Sequence, residues 1–584
     1  MKASNTLFVL LAVFFSAIQV QAAGTLFRNG SSEYVIVLAP DASRSETTAA
    51  KELQQYLKQV SGATLPIVGI DGIPAKVLKK SEKKGTRIYI GWSEELKKAT
   101  GASRPDTSDE GFTVAAKGRS IFIYGGSLRG TMYGVYTFLE DSFGIRWFTP
   151  ECTVVPQKSE WSFSDFEYSQ SPALEYRFVQ YLNAVRSAPW LAHNKDNAVW
   201  GAEDNEYGGL SAYWNAHTMG QFIPAGRYFE EHPEYFSVRN GERIPYGQLC
   251  LTNPDVLRLC IEGVMNAIEK NPLYWVYSVS QNDNMFPCEC DCCKAVEEQY
   301  GGHSGVLLWF VNQVADAVKP VYPDKYIGTF AYQYTRQIPQ NIVPRDNVVI
   351  RLCNIECDFA HPIAETDHNK SFLEDLKQWS VVAPHLFIWD YVVNFHQYLA
   401  PYPNFQTLAS NIKLFKQYKA IGIQEEANYQ SDGGEFSEMK AWVLAKLLWN
   451  PELDTDALVD EFIEGYYGAA AKKVKEYFNL CRSLVKEDTF MSFAFDENHS
   501  MFNEDFISES VDILADAVKA VEGDEELTRR VDRVKAQILY LKVMRHKEES
   551  KKDGSYKELR RIVDEERIRV REFQPNEVVF KDFE

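Results

Sequence analysis

The chain has 584 residues, of which 45% are hydrophobic and 13% aromatic, a composition typical of a globular protein. A chain of this length is longer than those that usually fold around a single hydrophobic core, so several domains are predicted. The net charge of −19 argues against nucleic acid as a partner, because binding phosphates requires concentrated Lys and Arg.

The first 22 residues have the pattern of a secretory signal peptide. Lys2 supplies a positive start, Leu7–Ile18 is apolar, and Val20-Gln21-Ala22 resembles a small-residue cleavage site. The apolar run is too short to span a bilayer comfortably, and no second hydrophobic span follows. The sequence therefore predicts export, to the periplasm or beyond, of a mature protein without a membrane span.

Residues 25–160 are expected to form a separate α/β domain. Tyr34–Pro40 and Arg87–Trp92 have the composition of strands, and a helix between them is expected to end at Gly62. A second helix is predicted over Leu128–Glu140 from its apolar face. Together these patterns indicate a small sheet packed by two helices.

Residues 170–452 alternate strand-like and helix-like patterns, which is typical of a parallel sheet. We expect a (β/α)8 barrel here, of the TIM type, so the predicted fold class is α/β. Residues 453–584 show helical periodicity and predict a C-terminal helical domain that buttresses the barrel. The eight predicted strands are Leu174–Tyr181, Tyr213–Thr218, Gln248–Thr252, Trp275–Asp283, Ile327–Tyr334, Val348–Glu356, Leu386–Tyr391 and Ile421–Glu425.

Several of these predicted strands end in carboxylates and amides. In a (β/α)8 barrel the active site is built at the carboxyl ends of the strands. Glycoside hydrolysis needs two acidic groups, or one acid and an acetamide supplied by the substrate. Each acid taken alone fits an ordinary polar position at a barrel rim as well as it fits a catalytic role. Five acids at corresponding strand ends favour an active site. The five are Asp283, Glu356, Asp390, Glu425 and Glu426.

Aromatic residues are concentrated at the same strand ends, where flat rings would stack on sugar rings, although core packing is the alternative for each of them. His217 is a candidate ligand of a sugar hydroxyl, or a residue behind the site. Arg351 is expected to point at a carboxylate in the barrel mouth, where it would orient Glu356 or lower the pKa of a neighbouring acid. The aromatic candidates are Trp214, Tyr332, Tyr334, Trp389, Tyr391 and Tyr429. The polar candidates for substrate binding are Gln281, Asn354, Asp390, Asn394, Glu425 and Asn428.

Ten cysteines in an exported chain raise the question of disulfides. Four of them stand in the sequence CECDCC, directly after the strand that ends at Asp283. One or two disulfides are the favoured interpretation, and the alternatives are a structural zinc ion bound by Cys288, Cys290 and Cys293, and free thiols. No cofactor is expected to be required for activity.

Two groups of motifs resemble known families. GGSLRGTMYGVYTFLEDSFGIRWFTPE (Gly125–Glu151) resembles the N-terminal accessory domain shared by hexosaminidases and α-glucuronidases. HTM (His217–Met219), SVSQNDN (Ser278–Asn284), IRLCNIECDFAHP (Ile350–Pro362) and IWDYVVNF (Ile388–Phe395) occur in an order that resembles glycoside hydrolase family 163, of the DUF4838 type.

The resemblance implies a retaining endo-β-N-acetylglucosaminidase that cuts the chitobiose core of complex N-glycans on glycoproteins. It also implies a substrate-assisted route through an oxazoline-like intermediate. Glu356 would then be the acid/base, and Asn282 and Asp283 would orient the acetamide, although the reverse assignment stays open. Two alternatives remain at this point: an exo-acting hydrolase such as an α-glucuronidase, and a non-catalytic protein that binds glycans.

Overall fold

The computed structural model describes residues 24–583 and separates them into two units. The smaller unit consists of residues up to Phe143 together with Val155–Gln170, and the larger consists of Gly144–Val154 and the residues from Ser171 onward. The predicted signal peptide, residues 1–22, lies outside the described residues. Within the described part of the chain, no helix combines the length and the apolar character that crossing a bilayer requires.

The smaller unit is built on a six-stranded sheet of order β10-β5-β6-β4-β2-β3. The helix predicted to end at Gly62 is confirmed: it begins with a capping box between Ser43 and Glu46, and Gly62 adopts the left-handed conformation (φ 77°) that terminates it. The strands are β1 (Gly24–Arg28), β2 (Val35–Leu38), β3 (Ile67–Val68), β4 (Arg87–Ile90), β5 (Phe112–Lys117) and β6 (Ser120–Gly125), followed after an excursion by β9 (Glu160–Phe163) and β10 (Phe166–Gln170). The helices are α1 (Arg44–Ser61), α2 (Ala75–Lys84), α3 (Glu94–Thr100) and α4 (Gly130–Phe143).

The larger unit contains a curled sheet of seven parallel strands, in the order β11-β19-β18-β17-β16-β15-β12. The strands of this sheet have nearly continuous apolar sequences because both faces of the sheet are buried. The strands of this unit are β7 (Arg146–Thr149), β8 (Cys152–Val154), β11 (Tyr176–Gln180), β12 (Tyr213–Trp214), β13 (Val238–Arg239), β14 (Glu242–Arg243), β15 (Val276–Ser278), β16 (Tyr326–Ala331), β17 (Val348–Cys353), β18 (His385–Tyr391) and β19 (Ala420–Glu426).

The sheet is a half-barrel, and the complete eight-stranded barrel is not confirmed. The predicted strand Gln248–Thr252 is wrong, because this segment makes loop contacts: the Cys250 amide donates to the Tyr235 carbonyl and the Gln248 amide to the Phe286 carbonyl. Among the described residues no regular ladder joins the edge strands β11 and β12. The short segment 197–199 lies between them. There the Asn197 amide donates to the Arg177 backbone carbonyl (3.4 Å), and the Val199 amide donates to the Ser211 backbone carbonyl (3.0 Å).

Helices cover the outer face of this sheet and continue to the end of the described chain. The alternation of helix-like and strand-like patterns predicted within residues 170–452 is confirmed, since α-helices lie between most successive parallel strands of the sheet. The helices beyond residue 453 belong to the same unit as the sheet. In chain order the helices are α5 (Leu182–Val185), α6 (Ala188–His193), α7 (Met219–Phe222), α8 (Ala225–Tyr228), α9 (Pro254–Lys270), α10 (Asp291–Tyr300), α11 (His303–Val318), α12 (Lys370–Val382), α13 (Phe405–Gln417), α14 (Ser437–Trp449), α15 (Thr455–Tyr467), α16 (Ala471–Arg482), α17 (Glu504–Ala520), α18 (Glu525–Arg545), α19 (Lys547–Asp553), α20 (Ser555–Glu565) and α21 (Asn576–Val579).

Candidate active site

A pocket of about 470 Å³ lies at the carboxyl ends of the parallel strands in the larger unit. Its walls combine many aromatic rings with three carboxyl groups, and no Lys or Arg is found among the described residues that line it. The lining residues are Trp200, Ala216, His217, Asp283, Phe330, Tyr332, Gln333, Cys353, Ile355, Trp389, Tyr391, Phe395, Glu426, Tyr429, Phe493, Glu572 and Phe573.

The alternation of side chains along β18 and β19 decides which residues reach this pocket. Trp389, Tyr391 and Glu426 share the pocket face, and Tyr391 lies beside Glu426 in the register of the two strands. Asp390 lies beside Glu425 one step earlier, so this acid pair points to the opposite face, under the helices. Polar residues at the same strand ends are thereby divided between two environments.

Glu426 is a deeply buried acid of the pocket. Its carboxyl oxygen Oε2 accepts a hydrogen bond of 2.7 Å from the indole N–H of Trp389, and only 8% of the residue is exposed. Burial raises the pKa of Glu426 to about 8, because a charged carboxylate is disfavoured away from water. Glu426 therefore keeps its proton near neutral pH, as a general acid must.

Glu572 is the second buried acid, and it comes from the segment that follows α20. Its Oε1 accepts a hydrogen bond of 2.9 Å from the Tyr429 hydroxyl, and its backbone amide donates to the Phe395 carbonyl. Burial raises the pKa of Glu572 to about 7. The next residue, Phe573, lines the pocket although 82% of it is exposed. The C-terminal segment thus supplies one acid and one aromatic ring.

Asp283 is the third carboxyl group and lies in the loop after β15. It is more exposed than the two glutamic acids, and its Oδ1 accepts a hydrogen bond of 3.2 Å from the Tyr332 hydroxyl. Burial raises the pKa of that hydroxyl well above its usual range, so Tyr332 remains a donor. Asp283 is therefore held at the pocket wall with its second oxygen available to a ligand.

His217 contributes a ring nitrogen to the same wall. Its Nδ1 lies 2.7 Å from the Gln281 carbonyl oxygen, which can only accept, so Nδ1 carries the hydrogen. In the neutral ring Nε2 is then an acceptor for a hydroxyl group. The backbone of His217 adopts a positive φ of 51°, which marks a locally constrained position.

Seven of the residues predicted from the sequence line the pocket, and the others have different surroundings. The seven are His217, Asp283, Tyr332, Trp389, Tyr391, Glu426 and Tyr429. The predicted residues that are not among the lining residues are Trp214, Gln281, Asn282, Tyr334, Arg351, Asn354, Glu356, Asp390, Asn394, Glu425 and Asn428.

Glu356 is the most consequential of these, since it was expected to share the pocket with Asp283. It lies in the turn after β17 with 42% of its side chain exposed, and its carboxylate pairs with Arg336 at 3.0 Å. Arg336 is itself held by Asp375 at 2.7 Å. Contrary to expectation, Glu356 is not among the residues that line the pocket with Asp283, although burial and, after it, the charges of both acids act to raise the pKa of the Tyr332 hydroxyl.

Arg351 does not orient Glu356 either. Its guanidinium lies inside the curled sheet, 3.9 Å from the ring centroid of Tyr213 and 4.8 Å from that of Trp389. Among the described residues it forms no ion pair with a carboxylate. The cation is stabilised by the faces of aromatic rings and sits behind the pocket. Its charge acts to lower the pKa of Glu426 against the larger effect of burial, which agrees with the second role expected for Arg351.

The remaining predicted residues use their polar groups within the fold. The Asn282 side chain accepts from the Gly220 amide (2.8 Å) and donates to the Gly247 carbonyl (3.1 Å), so it holds the loop rather than a ligand. Trp214 alternates away from Tyr213 and stacks on Phe222. The other contacts are Gln281 to the Tyr332 carbonyl, Tyr334 against the His303 ring, Asn354 to Asp390, Asn394 to the Phe495 carbonyl and Asn428 to the Ser431 carbonyl.

Several lining residues were not found from the sequence. Trp200, Phe330 and Phe493 stand in no motif of the sequence, and nothing local distinguishes Glu572 and Phe573 from the helical region around them. Glu426 is among the five candidate acids, but the predicted substrate-binding set contains Glu425 instead. The register of β18 and β19, which pairs Tyr391 with Glu426, separates the two acids, and the sequence alone does not show it.

Residues 147–479, more than half of the chain, match the family model described as "Domain of unknown function (DUF4838)". The chain belongs to this family.

Sequence and structure comparisons relate this DUF4838 protein to glycoside hydrolases. Alpha-glucuronidase A of Emericella nidulans is 22% identical over 197 residues, which are 33% of this chain and 19% of that protein, so the chain spans about a fifth of the length of this relative. A solved GH115 4-O-methyl-α-glucuronidase, described as specific for decorated arabinogalactans, is 14% identical with a TM-score of 0.57, covering 93% of this chain and 77% of that one. The chitobiase of Flavobacterium johnsoniae is 12% identical with a TM-score of 0.45, covering 93% and 94%. The likeness to the GH115 structure shows that the DUF4838 protein has a glycoside hydrolase fold.

Proposed function

We propose that this DUF4838 protein is a retaining endo-β-N-acetylglucosaminidase that, after export, cleaves the chitobiose core of complex N-glycans. The observation that carries this proposal is the pocket itself, where two buried glutamic acids and Asp283 face a wall of aromatic rings. Hydrolysis of a glycosidic bond requires an acid that protonates the leaving oxygen. Aromatic faces bind the C–H faces of sugars. Both requirements match residues that line the pocket.

The proposed reaction is substrate-assisted. The acetamide oxygen of the sugar attacks the anomeric carbon while the bond to the leaving oxygen breaks, and Glu426 transfers its proton to that oxygen. The resulting oxazolinium ion is then opened by water, which gives a proton back to Glu426. Asp283, fixed by Tyr332, accepts the acetamide N–H and offsets the positive charge of the intermediate. This scheme keeps the predicted role of Asp283 and moves the acid from Glu356 to Glu426.

The charge of the pocket supports an N-acetylated sugar over a uronic acid. A glucuronide carries a carboxylate, which is usually recognised by Arg or Lys. The described lining has neither: it contains three carboxyl groups, and His217 is the one basic side chain among the described lining residues. An α-glucuronidase, the named activity of the two relatives above, would have to bind its anion against these carboxyls.

Product analysis on a glycoprotein with defined biantennary glycans tests the proposal. We expect mass spectrometry to detect released glycans that end in one N-acetylglucosamine and a protein that retains the other. Cleavage of uronic acid substrates with no response to thiazoline inhibitors would replace the proposal with the exo-acting alternative. Glycan binding without any turnover would favour a non-catalytic protein.

The leaving group of the substrate identifies the proton donor. In an aryl glycoside of an acidic phenol, the phenolate leaves the anomeric carbon without being protonated. A variant that lacks the acid therefore cleaves this bond at nearly the rate of the unmodified chain. We expect Glu426→Gln to keep nearly the kcat/KM of the unmodified chain on the activated substrate, because kcat/KM reports cleavage of the bond and not the later opening of the intermediate, and to lose most of its kcat/KM on a chitobiose linkage. If Glu572→Gln gives this pattern instead, the donor is Glu572.

A further inference from the structure

Four cysteine side chains converge outside the pocket. The sulfur atoms of Cys250, Cys288, Cys290 and Cys293 all lie within 4.8 Å of one another. Cys250 Sγ is 3.7 Å from Cys290 Sγ and 3.8 Å from Cys293 Sγ. Four thiolates around a tetrahedral zinc ion, at about 2.3 Å each, are separated by ~3.8 Å. These separations match a shared metal ion, whereas a disulfide joins two sulfurs at about 2.05 Å.

The four ligands come from two segments that the fold brings together. Cys288 and Cys290 belong to the loop after β15, and Cys293 lies in the first turn of α10. Cys250 lies far earlier, between β14 and α9, and its place in the cluster is not visible from the CECDCC motif. Cys292, the remaining cysteine of that motif, is exposed and takes no part in the cluster.

The surroundings suit thiolates. The Val238 amide donates to Cys288 Sγ at 3.4 Å, and the Thr252 hydroxyl lies 3.3 Å from Cys293 Sγ. The Arg243 guanidinium is 4.0 Å from Cys288 Sγ. A zinc ion with four thiolates carries two negative charges, and donors and a cation placed in this way stabilise them.

The cluster lies next to the loop that carries Asp283. Gln248, two residues before Cys250, accepts from the Asn282 amide (2.8 Å) and donates to the Asn282 carbonyl (2.8 Å). The segment from Gln248 to Cys250 therefore holds this loop at Asn282 and again through the cysteine cluster. Asp283 lies between these two points of attachment.

We infer that Cys250, Cys288, Cys290 and Cys293 bind one Zn²⁺ in a closed four-thiolate centre that fixes the loop carrying Asp283. Binding displaces the thiol protons to solvent and oxidises nothing. Four protein ligands leave no open coordination position, so the ion has a structural role. The sequence left disulfides and zinc as alternatives, and the fourth ligand favours zinc.

Metal analysis of the whole chain, purified without chelators, tests this inference. We expect about one zinc per chain by elemental analysis and by native mass spectrometry. Cys293→Ser and Cys250→Ser should lower the zinc content roughly tenfold or more. Cys292→Ser is the matched control, since it removes a neighbouring cysteine and should leave the zinc content unchanged.

A second measurement uses the unmodified chain, so that it can be made even if the cysteine variants fail to fold. Replacing the ion in the unmodified chain with Co²⁺ should give the charge-transfer and tetrahedral d–d absorption bands of a site with four thiolate ligands. Absence of metal from the unmodified chain would overturn the inference. So would an intact mass lowered by two disulfides together with resistance of these cysteines to alkylation. Neither readout depends on glycosidase activity, so the two proposals fail separately.

Discussion

Glu425 and Glu426 are neighbours on β19, and both are buried, but they face different parts of the molecule. Glu426 lines the pocket and is hydrogen-bonded by Trp389. Glu425 points under the helices, where neither carboxyl oxygen has a hydrogen-bond partner within the described structure. Its neighbour there is Asp390, which is bonded by Asn354.

Burial raises the pKa of all three acids, so a shifted pKa alone does not locate the chemistry. The pKa of Glu426 is raised to about 8 and that of Asp390 to about 6, and the pKa of Glu425 lies well above its usual range. Perturbed acids mark functional sites only statistically, because structural positions perturb them as well. Access to a cavity separates the two faces, and the predictions below test that separation.

The largest expected effect is the contrast between the two adjacent glutamic acids. Glu426→Gln should lower kcat/KM on a chitobiose-linked substrate by about 10²–10⁴-fold, the usual cost of losing a general acid. Glu425→Gln, the matched control on the other face, should stay within a few-fold of the unmodified chain. Steady-state kinetics with both variants, after circular dichroism has verified folding, make the comparison. Equal losses in the two variants would show that the face of the sheet does not matter.

A second contrast involves the two acids that the sequence paired. Asp283→Asn should lower kcat/KM by roughly 10²-fold or more, because it weakens the charge that faces the reacting acetamide. Glu356→Gln should change kcat/KM little, and it should alter the free energy of unfolding by about 0–1 kcal/mol, as expected for a partly exposed ion pair. A large kinetic loss in Glu356→Gln with normal folding would return the catalytic role to Glu356.

The pH dependence of activity offers a finer test. If Glu426 must be protonated, kcat/KM should fall above a pH of about 8. The Trp389 hydrogen bond lowers the pKa of Glu426, so Trp389→Phe should move this limb upward by less than about one pH unit. The pH profiles of the variant and the unmodified chain measure the shift. A downward shift would contradict the proposed contact.

Stability should respond to pH through the helix-facing acid. Glu425 has a raised pKa in the folded state, so the folded chain holds a proton that the unfolded chain loses above its ordinary pKa. Its contribution to stability is complete below that ordinary value and is lost as pH rises towards the folded pKa, by at most about 1.4 kcal/mol per pH unit. Glu425→Gln should therefore unfold with a shallower pH dependence than the unmodified chain. Denaturant titrations from pH 5 to 9 measure this difference, and parallel curves would argue against it.

Much of the parallel sheet could be predicted, because strands buried on both faces have a distinctive apolar composition. β16, β17, β18 and β19 fall within their predicted bounds or one residue beyond them. The strand predicted at Gln248–Thr252 failed because its amides bond to loop carbonyls instead of a neighbouring strand. Local composition does not reveal where a backbone amide finds its partner.

The site was predicted in part, for reasons that lie in the geometry of strands. Tyr391 could be predicted because it ends a clear strand, but the choice between Glu425 and Glu426 depends on the register of β18 and β19, which the sequence alone does not show. Glu356 follows β17 after a turn, where the alternation no longer applies. Glu572 approaches from a segment with no motif, and only the tertiary fold brings it to the pocket.

The wall built by Glu572 and Phe573 makes the shape of the pocket depend on a segment that lies far from the strands in the sequence. Trp200 and Phe573 are separated by most of the larger unit, yet both line the pocket. A nascent or clipped polypeptide without residues 572 and 573 would retain the strand-end groups but present an open trough. Loss of this segment would thus change the shape and acidity of the cavity without removing a strand of the sheet.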